Sequence, residues 1–350
     1  MNILFTSAGR RSYLVNYFKE ALNGKGKVHV ANSSRLSTAM ISGDYSVVAP
    51  SIYEKEYIPF LKSYCIHNKI QAIIPLFDLD LIMLSRCKKE FKEIGVQVIV
   101  SSEEVIAVCN DKWESYNFLK KKGFNTPTTF LTVNDALKAI GKGEIHFPLM
   151  VKPRWGMGSI SIFEADNVEE LSIFYQRALK TIQSTYLSYN AIQNVDACII
   201  IQEKLEGQEY GMDIINNLKG DYELTVIKEK KAMRSGETDC AEVVYNERLE
   251  KAGERLSGIL KHIGNLDVDA FIVNGNPYIL ELNARFGGGY PFSHIAGVNL
   301  PKAILNWLKG ETVEKALFSP QIGVIGFKEL TMVAGKTPTA SLNGGKNGSK

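Results

Sequence analysis

The sequence lacks several features that would settle its class at once. It has five cysteines in 350 residues, Cys65, Cys87, Cys109, Cys198 and Cys240, widely scattered and with no C-x-x-C pair. That argues against a disulfide scaffold or a cysteine zinc site and suits a reducing compartment, so the cytoplasm is expected. No apolar run approaches the roughly 18 residues of a membrane span. The start, Met1-Asn-Ile-Leu-Phe-Thr6, has no basic leader and enters a strand-like run directly, which reads as no signal peptide. The net charge is only +3, too little to make nucleic acid the main partner. The first turn carries no G-x-G-x-x-G, which weakens a dinucleotide reading. The phosphate loop G-x-x-x-x-G-K-[ST] occurs nowhere, and there is no internal repeat.

What is present is an ordinary globular composition, 45% hydrophobic and 23% charged, in a chain long enough for two or three domains. Short apolar runs and helical patterns alternate over the first hundred residues. Strands are expected at Ile3–Thr6, Lys27–Ala31, Tyr45–Pro50, Ala72–Leu76 and Val96–Val100. Helices are expected after Arg10, over Tyr57–His67 and over Leu79–Ile94. This alternation predicts a parallel sheet covered by helices on both faces. In such sheets ligands sit at the carboxyl ends of the strands, where Ser7, Gly9, Arg10, Arg11 and Asp78 fall. Arg10 and Arg11 read equally well as surface residues at a helix start.

Ser101-Ser-Glu-Glu104 is a capped helix start, and Asn110-Asp111-Lys112 opens another helix that ends at Gly123. Phe147 to Lys152 is an apolar strand with a lysine near its end. Arg154-Trp-Gly-Met-Gly-Ser-Ile-Ser161 follows as a glycine hairpin whose N–H groups could cradle phosphate, or which could be a plain hairpin. Further strands are expected at Cys198–Gln202, Gln208–Ile215, Leu224–Lys231 and Leu266–Val273, with a helix from about Asn246 to Ile263. Asn274-Gly275 is a hairpin turn. The strand after it, Tyr278-Ile-Leu-Glu-Leu-Asn283, carries Glu281 and Asn283 two apart, with Arg285 in step and Gly287-Gly-Gly289 beyond. The two-residue period puts the three polar groups on one face. Such a row is costly to bury unless it binds something, and an oxygen-loving cation with a phosphate would satisfy it. Asp269 on the preceding strand can converge with Glu281 and Asn283 across the ladder. Asp213 reads as a solvent-facing residue and His294 as a packing or loop residue. A helix over Asn299–Gly310 is expected to close this unit, and Gly335–Lys350 to be a flexible tail.

These residues, taken in order, resemble the ATP-grasp superfamily, closest in style to single-module relatives of the carbamoyl-phosphate synthase large subunit. The resemblance covers residues 1 to about 310. It rests on the ordered set Asp111-Lys112, Val151-Lys152-Pro153, the glycine loop, Gln202-Glu-Lys-Leu-Glu-Gly207, Glu209, Arg234, Asp269 and Glu281-x-Asn283-x-Arg285. It implies an α/β protein with a Rossmann-like pre-ATP-grasp domain over 1–108. A two-lobed ATP-grasp domain follows, its smaller lobe over 109–190 and its larger lobe over 191–312, with a C-terminal extension over 313–350.

The resemblance also implies roles. Lys112 and Lys152 would contact ATP phosphates, and Gly156, Gly158 and Ser159 would close over them as a lid. Glu203, Lys204 and Leu205 would lie beside adenine, and Glu209 would accept the ribose hydroxyls. Asp269, Glu281 and Asn283 would hold Mg2+ (or Mn2+). Arg285, Arg234 and Lys152 would stabilise developing charge. Each has a plainer rival: Lys112 as an exposed lysine, Glu203 as a strand-end residue, Glu209 paired with Lys204. The implied activity is an ATP-dependent carboxylate–amine ligase working through an acyl phosphate on small-molecule substrates. Bicarbonate activation of the carbamoyl-phosphate type and a non-catalytic ATP-binding protein are the alternatives. The large carbamoyl-phosphate enzyme has two synthetase halves, and this chain has one. A homodimer is a fold-level expectation, with no membrane or nucleic-acid partner.

Overall fold

The structure is a computed structural model that describes residues 1–156, 158, 160–191 and 197–335. The chain forms two compact units. One comprises residues 1–100, 299–313 and 329 onward, and the other residues 101–298 and 314–328.

The first unit is built on five parallel strands, β1 (Asn2–Thr6), β2 (Val28–Asn32), β3 (Tyr45–Val48), β4 (Ile70–Pro75) and β5 (Gln97–Val98), in the order β3-β2-β1-β4-β5. Helices α1 (Ser12–Leu22), α2 (Thr38–Ser42), α3 (Tyr57–His67), α4 (Asp78–Arg86) and α5 (Lys88–Glu93) connect them. Ile3, Leu4 and Phe5 are all fully buried, as expected of a strand covered on both faces. The single helix expected over Leu79–Ile94 is two, because Cys87 leaves the helical region at φ −97°, ψ 6°. Ser7, at φ +52°, follows β1, and Asp78 opens α4 after β4.

The second unit begins with α6 (Glu103–Asn110), capped by Ser102, and α7 (Lys112–Lys121), capped by Asp111. A four-stranded antiparallel sheet follows, made of β6 (Thr129–Phe130), β7 (Leu149–Pro153), β8 (Phe163–Ala165) and β9 (Ile199–Glu203), in the order β6-β9-β7-β8. Helices α8 (Val133–Gly141), α9 (Val168–Ser184) and α10 (Ser188–Ala191) accompany it. Leu149, Val151, Ile199 and Ile201 share a core with Ala136, Ala139, Leu171, Ala178 and Ile182 from α8 and α9. The alternation that puts Val151 in this core turns Lys152 to the opposite face.

A six-stranded antiparallel sheet completes the unit. Its strands are β10 (Gln208–Asn216), β11 (Tyr222–Arg234), β12 (Glu237–Val244), β13 (Gly264–Val273), β14 (Asn276–Asn283) and β15 (Ile325–Phe327), in the order β14-β13-β10-β11-β12-β15. Helix α11 (Glu247–Leu260), capped by Asn246, packs against β10, β11 and β14, and the short α12 (Tyr290–Ile295) follows β14. Asn274-Gly275 makes the hairpin turn with both residues at positive φ, +49° and +78°. Ser235-Gly236, at +50° and +77°, does the same between β11 and β12. The stretch from Arg234 to Asp239 is therefore the tip of a hairpin.

Helix α13 (Leu300–Leu308) corrects another expectation. It belongs to the first unit, where it packs on α1, and does not close the second. Residues 336–350, expected to be a tail, lie outside the described residues. No described helix is long and apolar enough to cross a membrane.

Candidate functional site

The site grows from one face of the six-stranded sheet. The register places Gly211 of β10 opposite Lys228 of β11 and Asp269 of β13, Asp213 opposite Asp267, Asp269 opposite Glu281 of β14, and Asp267 opposite Asn283. With a two-residue period, Glu209, Gly211, Asp213, Lys228, Lys230, Asp267, Asp269, Glu281 and Asn283 all lie on this face. Gly211 lies beneath the stems of Lys228 and Lys230, where a Cβ would be in ordinary contact, 3.6 Å from each Cε. The opposite face supplies the fully buried Val268, Ala270 and Leu282.

The polar face is knitted by charge. Lys230 Nζ donates to Glu209 Oε1 and Asp269 Oδ1, both at 2.6 Å. Burial opposes its positive charge, but the two carboxylates prevail and hold its pKa above the ordinary value. Glu209 thus pairs with Lys230, while Lys204 pairs with Glu164 at 2.7 Å. Lys112 Nζ stands 3.4 Å from Glu281 Oε1 and donates to the Gly156 carbonyl at 2.9 Å. With a side chain only 11% exposed, Lys112 is not a surface lysine. Lys152 is buried. Burial lowers its pKa to about 8, with Glu281 opposing the shift and Lys112 adding to it. Lysines from two elements of the smaller sheet layer therefore meet the carboxylates of the larger sheet.

A second cluster adjoins the first. Asp213, expected to face solvent, is fully buried. It accepts from Lys228 Nζ at 2.5 Å, Ser293 Oγ at 2.5 Å and Asn265 Nδ2 at 2.9 Å. Asp267 lies between Asp213 and Asp269, and burial together with those two carboxylates pushes its pKa up to about 7, against Lys228 and Arg285. Arg285 falls two residues past the strand pair's end, yet it stays on the face by donating to Asn283 Oδ1 at 3.0 Å and to the Phe286 carbonyl at 3.3 Å. The three glycines rest on this cluster. A Cβ on Gly287 would sit 2.0–2.2 Å from the Asp267 carboxylate, one on Gly289 3.3 Å from Lys228 Nζ, and one on Gly288 3.7 Å from Lys328 Nζ.

The remaining expected residues fall in two places. Glu203 Oε2 accepts the Thr128 N–H at 3.1 Å, so its carboxylate is engaged by the chain and the backbone of Lys204 and Leu205 continues past it. Gly156 and Gly158 both have positive φ, +98° and +75°. Ser159 lies outside the described residues. Arg234 stands at the β11–β12 hairpin tip, its side chain 45% exposed, paired with Asp239 at 2.5 Å and donating to the Lys328 carbonyl at 3.4 Å. Asp239 and Lys328 hold it on the glycine side of the site, away from Asp269, Glu281 and Asn283.

Lys228, Lys230, Asp267 and Lys328 were not among the sequence candidates. Asp267-Val-Asp269 carried a legible signal, two carboxylates one period apart. Lys230 carried none, since Lys228-Glu-Lys-Lys231 reads as a solvated charge run until its strand is paired. Among the described residues no three His, Cys, Asp or Glu side chains form a metal cluster by themselves. Two carboxylates and an amide oxygen nevertheless suit a hard cation whose other ligands are phosphate oxygens. That both carboxylates already neighbour ammonium groups shows the place favours positive charge.

Comparison with known proteins gives the family and the fold. Residues 3–99 match the PylC-like N-terminal domain family, and residues 109–289 match the ATP-grasp domain family. The carbamoyl phosphate synthase large chain of Thermotoga neapolitana is 25% identical over 244 residues, 66% of this chain and 21% of that one. The chain thus spans about a fifth of the length of the curated relatives it matches. Among solved structures, the biotin carboxylase domain of Hydrogenobacter thermophilus 2-oxoglutarate carboxylase superposes with a TM-score of 0.70 at 16% identity, covering 92% of this chain and 72% of that one. L-amino acid ligase from Bacillus licheniformis superposes with a TM-score of 0.64 at 18% identity, covering 91% and 76%. These last two are likenesses of fold.

Proposed function

The chain belongs to the ATP-grasp family, and from that premise we propose that it is an ATP-dependent ligase joining a carboxylate to an amine. The observation that carries the proposal is the meeting of Lys112 and Lys152 with the Glu281–Asp269 carboxylates. Compact ammonium groups facing a cation-favouring carboxylate pair form a site for a metal-bound polyphosphate. The related biotin carboxylase domain was crystallised with MgADP, ADP and bicarbonate.

In this reading Lys112 and Lys152 bind the phosphates, Glu209 the ribose, and the backbone at Lys204 and Leu205 the base. Gly156, Gly158 and Ser159 belong to the loop over the phosphates. Asp269, Glu281 and Asn283 would hold magnesium, which supplies neutralisation of phosphate charge. A substrate carboxylate oxygen bonds to the γ-phosphorus while the bond from that phosphorus to the bridging oxygen breaks, and ADP leaves. The amine then attacks the carbonyl carbon of the acyl phosphate, the C–O bond to phosphate breaks, and the nitrogen loses a proton. Arg285 offsets the negative charge that builds on the transferred group. Positioning and charge compensation supply the catalysis, and no side chain forms a covalent bond. Lys328 beside the triple glycine, with Arg234 tied to its backbone, favours anionic substrates.

The test is ADP release from MgATP over a panel of acids crossed with amines, with Glu281→Ala as the control. Turnover by the parent that needs both an acid and an amine, and its loss in a folded Glu281→Ala, is the expected result. Phosphate release unchanged in that variant would refute the assignment. ADP formation that needs bicarbonate and no organic acid would instead indicate carboxyphosphate chemistry.

A further inference from the structure

We infer that Asp111 is a positioning residue whose single carboxylate sets both phosphate lysines and the root of the glycine loop. The inference rests on the reading of Lys112 and Lys152 as phosphate ligands. Asp111 is the cap of α7, and its Oδ1 accepts the Trp113 and Glu114 amides at 3.0 and 3.3 Å. A cap needs no more than this. Yet Arg154 Nε donates to both carboxylate oxygens, at 2.8 and 2.9 Å, and Trp155 Nε1 donates to Oδ2 at 3.0 Å. The carboxylate is buried, and so is the Arg154 guanidinium, which stacks 4.8 Å above the Trp155 ring.

These bonds join two segments distant in sequence. One runs from Asp111 to Lys112, the other from Lys152 through Arg154 and Trp155 to Gly156. The Lys112 N–H donates to the Arg154 carbonyl at 3.1 Å, and Lys112 Nζ returns to the Gly156 carbonyl at 2.9 Å. Beneath, Gly156 is held close to Leu187, since a Cβ would stand 2.5 Å from its Cδ2. Arg154 is tied to the neighbouring strand β9 through its N–H to the Cys198 carbonyl at 2.9 Å. Arg154 also donates to Glu114 Oε1 at 3.4 Å and to the Ala197 carbonyl at 3.5 Å, but the Asp111 carboxylate is the acceptor that Arg154 Nε and Trp155 Nε1 share, so the distance between the two ammonium groups and the exit angle of the loop are set in part through it. Misplacing catalytic groups by an ångström has large consequences for a site that works by charge placement.

Asparagine is as good a cap as aspartate, so Asp111→Asn keeps the helix start. It replaces one acceptor oxygen by an N–H group that cannot receive Arg154 or Trp155. The experiment measures MgADP binding by calorimetry and adenosine binding by ligand-observed NMR, on variants shown to be folded by thermal unfolding. Asp111→Asn should weaken MgADP by ~10-fold, the scale of a coupling of about 1.4 kcal/mol, and leave adenosine unchanged. Arg154→Met should do the same, and the double variant should be no worse than either single one. Thr132→Ala removes the cap of α8, where Thr132 Oγ1 accepts the Asp135 N–H at 3.1 Å, and should change melting without changing the MgADP-to-adenosine ratio. Equal weakening of adenosine and MgADP by Asp111→Asn would mean a merely structural role and overturn the inference, as would parent-like MgADP binding. Lys152→Met and Lys112→Met separate the two levels of argument. If they too bind MgADP like the parent, the phosphate reading itself fails. If they lose it while Asp111→Asn does not, only the positioning role fails.

Discussion

Replacing Lys152 with methionine should stabilise the ligand-free protein while removing its hold on phosphates, and pH should reveal why. Lys152 is 6% exposed. Burial moves its pKa from 10.5 to about 8, despite Glu281 and with the help of Lys112. That difference corresponds to about 3 kcal/mol, the cost of keeping the ammonium charged in the fold below pH 8. The unfolded chain keeps the proton up to its ordinary pKa, whereas the folded chain releases it earlier. Between about pH 8 and 10.5 the unfolded state binds more protons, so parent stability gains with rising pH over that window. Methionine fills similar space without charge. Lys152→Met should therefore exceed the parent by about 3 kcal/mol at pH 7, with the margin shrinking toward zero near pH 10. Urea unfolding at several pH values, followed by the fluorescence of Trp113 and Trp155, measures this. A margin that does not change with pH, or a variant less stable at pH 7, would refute the reasoning.

Three further outcomes follow from the same geometry. MgADP affinity of the parent should fall as pH rises through about 8, where Lys152 gives up its charge; calorimetry showing a flat profile from pH 7 to 9 would contradict it. Gly287→Ala should cost about 1–3 kcal/mol by driving a methyl into the Asp267 carboxylate, and denaturant titration reads the loss. Lys230→Met should destabilise by about 1–3 kcal/mol, since it leaves Glu209 and Asp269 without their shared ammonium. Because the Lys230 pKa is raised above its ordinary value, that deficit is fully present below pH 10 and should stay level from pH 6 to 9.

Much of this arrangement was legible because it obeys short-range rules. The parallel sheet of the first unit follows from apolar runs spaced by helical patterns, and the β13–β14 hairpin from Asn274-Gly275. The Asp269–Glu281 pairing does not follow from that hairpin alone: its plain register sets Asp269 against Leu280, and a bulge between Asp269 and Ala270 brings Glu281 opposite instead. Less legible was whatever depends on pairing between distant segments. Asp213 looks like a polar residue on an exposed face until Lys228 of the next strand arrives to neutralise it. Arg234 looks like a loop arginine until Glu237 pairs back across Ser235-Gly236 and makes a hairpin. Helix α13 follows the last glycine-rich turn in sequence, and only tertiary packing on α1 assigns it to the other unit. Helix α9, by contrast, carries its own stripe of Leu171, Ala178 and Ile182 at helical spacing, so its sequence holds a readable signal.

The two buried lysines with opposite shifts show how the site is balanced. Lys230 lies within 2.6 Å of two carboxylates, and their attraction outweighs the loss of water. Lys152 has no ion pair within 4 Å among the described residues, feels Glu281 from farther away and is repelled by Lys112. The same side chain is therefore tightly charged in one place and close to releasing its proton in the other. A ligand carrying negative phosphates would supply Lys152 with the partner the fold does not provide, raising its pKa back toward the ordinary value and taking up protons as it binds above pH 8. Lys230 offers no such gain, since its charge is already matched. The unsatisfied lysine, not the well-paired one, is where binding energy for a polyphosphate is available. On the proposed reading, that asymmetry favours phosphates on the β7 side of the site, with the cation on the β13–β14 side.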